Sequence, residues 1–198
     1  KQRIALRDRV YSALTREYGN KKEVVQHFYH KDTSVPIWAI FEVLTLGEFG
    51  NFYSCLNYGV RRAVSIKLGF YQPSDSDAFL TKKIIFAIKE LRNAVAHNDV
   101  IFDTRFSRSS IDKSLSSSLE IVTRIKNITF KSITDYIILV VYLLKCFGVP
   151  KGDMRRFVVE FQDNIETLRK QIPTSLFTRI VLTDTRPKLK SLQEYIRK

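Results

Sequence analysis

The apolar run at residues 137–144, Ile-Ile-Leu-Val-Val-Tyr-Leu-Leu, constrains the fold of this chain more than any other feature. On a helix these side chains would cover every side of the axis, which is typical of a helix that is buried all round. The run is bounded by Asp135 and Lys145 and is far shorter than the roughly 20 residues that cross a bilayer. It therefore predicts a central buried helix or a helix in a subunit interface, and argues against a membrane span.

Helical periodicity also marks residues 77–97, where Ile84, Ile88, Leu91 and Val95 follow one another at spacings of 4, 3 and 4. Such spacing predicts an apolar stripe that faces a core. Only seven glycines and five prolines occur in 198 residues, which favours helices over a turn-rich β fold. We therefore predict an all-α helical bundle, with residues 1–198 in a single domain. Because the sequence opens on Lys1, we expect the start of the full-length protein to be missing.

The chain is strongly basic, with a formal net charge of +13 and a pI near 9.8. Such an excess indicates a polyanionic partner, nucleic acid before a membrane, although a well-solvated surface is the alternative. Together with the motif described below, it leads us to expect RNA and not DNA. Several basic side chains are predicted to contact phosphates as a group. They are Arg61, Arg62, Lys82, Lys83, Arg105, Arg155 and Arg156.

Neither a metal nor a cofactor is expected from the sequence. Cys55 and Cys146 stand far apart without metal-ligand spacing, and two lone thiols are typical of a reducing cytoplasm. His27 and His30 share a helix face without a third ligand nearby. The motifs GxxxxGK[ST], GxGxxG, HExxH and GxSxG do not occur, so nucleotide, dinucleotide, zinc-protease and α/β-hydrolase functions have no support.

The hexad Arg92-Asn93-Ala94-Val95-Ala96-His97 carries the chemistry that a phosphodiester would need. Arg92 offers a permanently charged fork for a phosphate, and His97 can take or give a proton near neutral pH. Asn93 lies four residues before His97 and can orient the imidazole or the phosphate through its amide. An arginine and a histidine at this spacing also arise by chance, so the hexad alone does not decide the function.

Three further segments precede the hexad: Val35–Trp38, Glu42–Gly47 and Phe52–Leu56. The hexad itself lies in a fourth segment, Leu91–Asn98. Together they resemble the Abi-like family of abortive-infection proteins, of the AbiD/AbiF type. The resemblance implies membership of the HEPN superfamily, whose members are α-helical bundles, often homodimeric, and in many cases metal-independent ribonucleases with an Arg-x4–6-His motif. It implies an antiviral toxin of phage defence, and it gives Arg92, Asn93 and His97 the catalytic positions. A regulatory small RNA that restrains the toxin is a further expected partner.

One departure from the family pattern follows the motif histidine directly. Family members often have a second histidine or a Gly-Arg pair there, whereas this chain has Asn98-Asp99. Asp99 would place a negative charge near the phosphate.

Metal-free cleavage of RNA by its 2′-hydroxyl needs a base, an acid and positive charge on the phosphate. One histidine does not easily serve as acid and base at once, so we expect two motifs to face each other in a homodimer. The sequence thus predicts a cytoplasmic endoribonuclease. A non-catalytic RNA-binding module is the main alternative, and a protein-interaction scaffold that uses the 137–144 helix is the other.

Two groups of side chains in the resembling segments have a structural and a functional interpretation. We expect the aromatic residues Trp38, Phe41, Phe52 and Tyr53 to lie in the core rather than to stack on bases. Glu42 and Glu48 would either shape the RNA site or form structural ion pairs.

Overall fold

A computed structural model of the chain describes residues 2–102, 104, 106, 107 and 111–198, with no account of the side chain of Gln2. The described residues form eleven α-helices and no strand, which confirms the all-α prediction. The helices are α1 (Gln2–Gly19), α2 (Glu23–His30), α3 (Ile37–Val43), α4 (Leu46–Cys55), α5 (Tyr58–Lys67), α6 (Leu80–Ala96), α7 (Lys113–Thr123), α8 (Ile133–Cys146), α9 (Lys151–Gln171), α10 (Thr174–Ile180) and α11 (Thr185–Arg197).

The chain separates into two compact units, residues 1–63 and 64–198, with the boundary inside α5. The first unit contains α1 to α4 and has a small apolar core in which Leu14, Val25 and Val43 are buried. The second unit contains α6 to α11 and has a much larger core. That all 198 residues form a single domain stays a prediction.

Helix α8 is the centre of the second unit. Ile138, Leu139 and Val141 are completely buried, and the other residues of the apolar run are buried or nearly so. The ring of Tyr136 lies 5.0 Å from the rings of both Phe106 and Phe130, measured between centroids. The prediction of a central buried helix is confirmed. Because the chain covers this helix itself, the scaffold alternative loses the surface on which it depended.

A buried ion pair joins the start of α8 to α11. The amine of Lys188 lies 2.7 Å from Oδ1 of Asp135, and both side chains are 5% exposed or less. The other carboxylate oxygen, Oδ2, accepts hydrogen bonds from the backbone amides of Thr129 and Phe130 at 3.0 and 2.8 Å. Burial opposes the charge on Lys188, but hydrogen bonds to Asp135 and Asp184 outweigh it and raise the pKa of the amine. One carboxylate thus fixes three segments of the unit.

Helix α10 has seven residues, too few to show a helical period in the sequence. Gly47 and Gly50 lie inside α4, and Gly50 is buried. Among the described residues no helix is both long and apolar enough to span a bilayer.

Candidate functional site

The site lies on the last two turns of α6. The side of this helix that is buried in the core determines which side chains are exposed to solvent. Leu80, Ile84 and Ala94 are at most 2% exposed, so the apolar stripe of α6 ends on Ala94. Val95, which was predicted to end the stripe, is 59% exposed, and that prediction is wrong. An apolar stripe that reaches Leu91 can continue three residues later, at Ala94, or four residues later, at Val95. Which of the two is buried depends on the helices that pack against α6.

Helix α6 ends in a Schellman motif immediately after the motif histidine. Asn98 has a left-handed backbone with φ of 55°. Its backbone N–H donates to the carbonyl of Val95, and the backbone N–H of Asp99 donates to the carbonyl of Ala94 at 2.9 Å. Asparagine is one of the few residues that tolerate this conformation at a helix end. The Asn98-Asp99 pair therefore has a structural role here: it ends the helix and leaves His97 at its last turn.

The three predicted catalytic side chains lie at this end of the helix. Arg92 and His97 are exposed and Asn93 is half-buried. The guanidinium of Arg92 donates a hydrogen bond from Nη1 to Oδ1 of Asn93 at 3.1 Å. Within the described part of the chain this guanidinium has no carboxylate partner, so its charge is open to an anion.

The amide of Asn93 therefore orients the arginine and not the imidazole. Its Oδ1 is taken up by Arg92, which leaves its Nδ2 group to donate to a ligand. Helical geometry, at about 100° per residue, points Arg92 and His97 in directions about 140° apart. One chain thus presents its arginine and its histidine towards different sides of the same helix end.

A sequence model of the Abi-like protein family matches residues 1–103, which is just over half of the chain and includes all of α6. The chain belongs to the Abi-like protein family. Neither the curated proteins nor the solved structures contain a match to it. The predicted family is confirmed, and the match extends beyond the Val35 to Asn98 segments on which the prediction rested.

Lys82 and Lys83 of the Abi-like protein lie on α6, and their amines have different partners. The amine of Lys82 lies over the rings of Phe79 and Phe86, at 5.6 and 5.9 Å from their centroids. The amine of Lys83 pairs with Asp112 at 3.3 Å and donates to the hydroxyl of Ser114. Lys83 thus links α6 to α7.

Lys89, which was not among the predicted phosphate contacts, lies on the same side of α6 as Lys82. The two lysines are seven residues apart, which is almost two full turns, and Arg92 follows one turn later. The amine of Lys89 lies 5.5 Å from the ring centroid of Phe86 and 2.7 Å from Oε1 of Glu90. Lys89 has no basic neighbour in the sequence, but the spacing of seven and three residues from Lys82 to Arg92 indicates a basic side of the helix that leads to the motif.

The other predicted phosphate contacts lie elsewhere in the protein. Arg155 and Arg156 are exposed on α9, where Arg156 pairs with Asp153 at 2.9 Å. In the first unit Arg61 donates to the carbonyl of Leu56, and Arg62 is exposed. Arg105 lies outside the described residues.

Glu48 has a structural role in the first unit. It forms a capping box with Thr45 at the start of α4, and its carboxylate also pairs with Arg16 at 3.2 Å. Burial opposes its ionisation, but the hydrogen bonds from Arg16 and Thr45 lower the pKa of Glu48. The Thr-x-x-Glu pattern in the sequence is the signal for such a cap. The structural interpretation of Glu48 is confirmed, while Glu42 is exposed.

The aromatic residues of the family segments divide between core and surface. Tyr53 is fully buried, as predicted, and its hydroxyl donates to the carbonyl of Arg61. Trp38 and Phe41 are 54% and 40% exposed, and their assignment to the core is wrong. In the described part of the chain, no three His, Cys, Asp or Glu side chains come together as a metal-binding group.

Proposed function

We propose that this Abi-like protein is a metal-independent endoribonuclease of the HEPN type, acting in the cytoplasm as the toxin of an abortive-infection system. The observation that carries the proposal is the exposed pair of Arg92 and His97 at the end of α6, with no carboxylate of the described chain neutralising the arginine. The family match supports defence by abortive infection. The net charge of +13 favours a polyanionic substrate.

The proposed reaction uses the nucleophile that RNA itself carries. The 2′-oxygen attacks the adjacent phosphorus as an imidazole takes its proton, and the 5′-oxygen leaves as it receives a proton from an acid. Arg92 binds the phosphate and stabilises the charge that develops on its oxygens, while Asn93 holds the guanidinium in place. The products are a 2′,3′-cyclic phosphate and a 5′-hydroxyl.

Incubation of the purified protein with total RNA tests this proposal. We expect cleavage that persists in excess chelator, because the reaction draws its charge and its proton carriers from side chains. The fragments should carry 2′,3′-cyclic phosphate and 5′-hydroxyl ends, which end-specific ligation and mass spectrometry identify. Tight RNA binding without any cleavage would contradict the proposal and favour the alternative, a non-catalytic RNA-binding module.

A homodimer is part of the proposal, since each motif contains one histidine and the reaction needs two proton transfers. Two features of the surface support it. Val95 and Val100 flank His97 in the sequence and are 59% and 64% exposed, so that pairing with a second copy would bury apolar area beside the motif. Arg92 and His97 also point away from each other within one chain, which suits a cleft shared by two chains.

Mixed dimers of Arg92→Ala and His97→Ala chains test the shared cleft. Co-expression with two different tags isolates them, and each retains one arginine and one histidine from different chains. We expect their cleavage rate to differ from the average of the rates of the two parent homodimers, because the remaining arginine and histidine act in one cleft. A fully active monomer in light scattering would contradict the arrangement, as would mixed dimers with only the average activity of the parents.

A further inference from the structure

The first unit contains a groove whose walls combine aromatic and arginine side chains. It has a volume of about 450 Å³, which is within the usual range for ligand sites. Helices α1, α2, α3 and α4 all contribute to it. The lining residues that matter here are Arg3, Arg7, Tyr11, Tyr29, Phe41 and Phe52.

The aromatic surface of this groove is exposed to solvent. Tyr11 is 60% exposed, Tyr29 is 45% exposed and Phe41 is 40% exposed. The ring of Phe41 packs edge-on against that of Phe52, with 5.1 Å between centroids, so this wall is held in position from behind. Large rings that remain open to solvent and fixed in place are suited to stacking with a planar ligand.

The charged side chains of the groove are basic. Arg3 and Arg7 line it, and no Asp or Glu occurs among the described lining residues. Arg3, Arg7 and Tyr11 are spaced by four residues, so they form one ridge along α1, with about 6 Å between successive positions. Within the described part of the chain, the guanidinium of Arg7 pairs with the exposed carboxylate of Asp8 at 3.5 Å. Such a weak contact leaves the arginine available to an anion.

We infer that this groove binds unpaired bases of a single-stranded RNA, with Tyr11 and Tyr29 stacking on the bases and Arg3 and Arg7 contacting the flanking phosphates. Aromatic platforms beside basic side chains are the usual means of binding single strands. A protein partner with an acidic surface would meet the same arginines, but the open tyrosine rings favour a ligand with planar bases. The inference rests on the proposed function in one respect, that the partner is RNA. It does not require that the protein cleaves RNA.

Binding of labelled RNA to the full chain tests this site, in a His97→Ala background so that no RNA is cut. The probes are a fluorescein-labelled single-stranded oligouridylate and an abasic strand of the same length, which keeps the phosphates and lacks the bases. Tyr11→Ala should raise the Kd for oligouridylate about tenfold and leave that for the abasic strand unchanged. Tyr11→Phe, which keeps the ring, should bind like the parent.

Matched controls are available in the same unit. Tyr58 is 46% exposed and does not line the groove, so Tyr58→Ala should leave both Kd values unchanged. Arg9 lies on α1 outside the groove lining, so Arg7→Gln should weaken the binding of both strands more than Arg9→Gln does. Circular dichroism establishes that each variant is folded.

Several results would overturn the inference. One is an equal change in Kd for Tyr11→Ala and Tyr58→Ala, and another is an equal change in Kd for both strands in Tyr11→Ala. A third is self-association of the protein that Tyr11→Ala abolishes without changing the Kd for RNA. A wild type that never cleaves but shows Tyr11-dependent binding would contradict the proposed function alone. A wild type that cleaves while Tyr11→Ala binds like the parent would contradict this inference alone.

Discussion

Replacing His97 with alanine is expected to reduce RNA cleavage at least about 100-fold, since general acid–base groups contribute about that much or more to a rate. His97 is exposed at the end of α6, and its backbone amide keeps its hydrogen bond to the carbonyl of Asn93 in the variant. The fold and the affinity for RNA should therefore change little. Initial rates on a labelled RNA, with binding measured in parallel, give both quantities.

His27→Ala is the matched control for this variant. His27 is also an exposed histidine in the last turn of a helix, but it lies on α2 in the first unit. Its replacement should leave the cleavage rate unchanged, and cellular toxicity should follow the same pattern in both variants. Cleavage by His97→Ala at the wild-type rate would show that the reaction takes place at another site.

Replacing Asp135 with alanine should destabilise the protein by about 3–5 kcal/mol, which is typical of breaking a buried ion pair from one side. The change leaves the amine of Lys188 without its closest carboxylate and removes the acceptor for the amides of Thr129 and Phe130. Unpaired groups of this kind are costly when water does not reach them. Urea denaturation followed by circular dichroism measures the loss in the free energy of unfolding.

Glu166→Ala gives the comparison, because the Glu166–Arg186 pair has the same 2.7 Å separation at the protein surface. Its side chains are 45% and 70% exposed, so water replaces the lost partner. The urea concentration at the midpoint of unfolding should therefore fall far less than in Asp135→Ala. Adding Lys188→Met to Asp135→Ala should recover part of the stability, since it removes the unpaired buried charge. Equal midpoints for Asp135→Ala and Glu166→Ala would contradict the central role of the buried pair.

Several features of the fold were readable from the sequence because they depend on neighbours along the chain. The apolar run of α8 predicted its burial, since no side of such a helix can face water without cost. The end of α6 at Asn98-Asp99 was predicted as well, since a helix terminus depends on local backbone preferences. The spacing of Thr45 and Glu48 is also a local signal, since Thr-x-x-Glu is the pattern of a capping box, although this cap was not predicted.

Other features depended on contacts that no local pattern contains. Asp135 and Lys188 are 53 residues apart, and nothing in either segment indicates that they meet in the core. Val95 continued the predicted stripe of α6, yet the core ends at Ala94 and leaves it exposed. Trp38 and Phe41 are apolar enough for a core, but the small first unit does not cover them.

The sequence by itself therefore determined the helical class, the Abi-like family, the buried α8 and the three residues of the proposed catalytic motif. The helical class and the burial of α8 follow from composition and periodicity, which act over one or two helical turns. The family and its motif follow from the resemblance of the segments within residues 35–98 to that family. Only the tertiary structure decided that Asn93 holds Arg92, that Lys83 pairs with Asp112, and that the rings of the first unit border an open groove. The physical reason is that exposure and side-chain pairing depend on which distant elements pack together, and packing is a property of the whole fold.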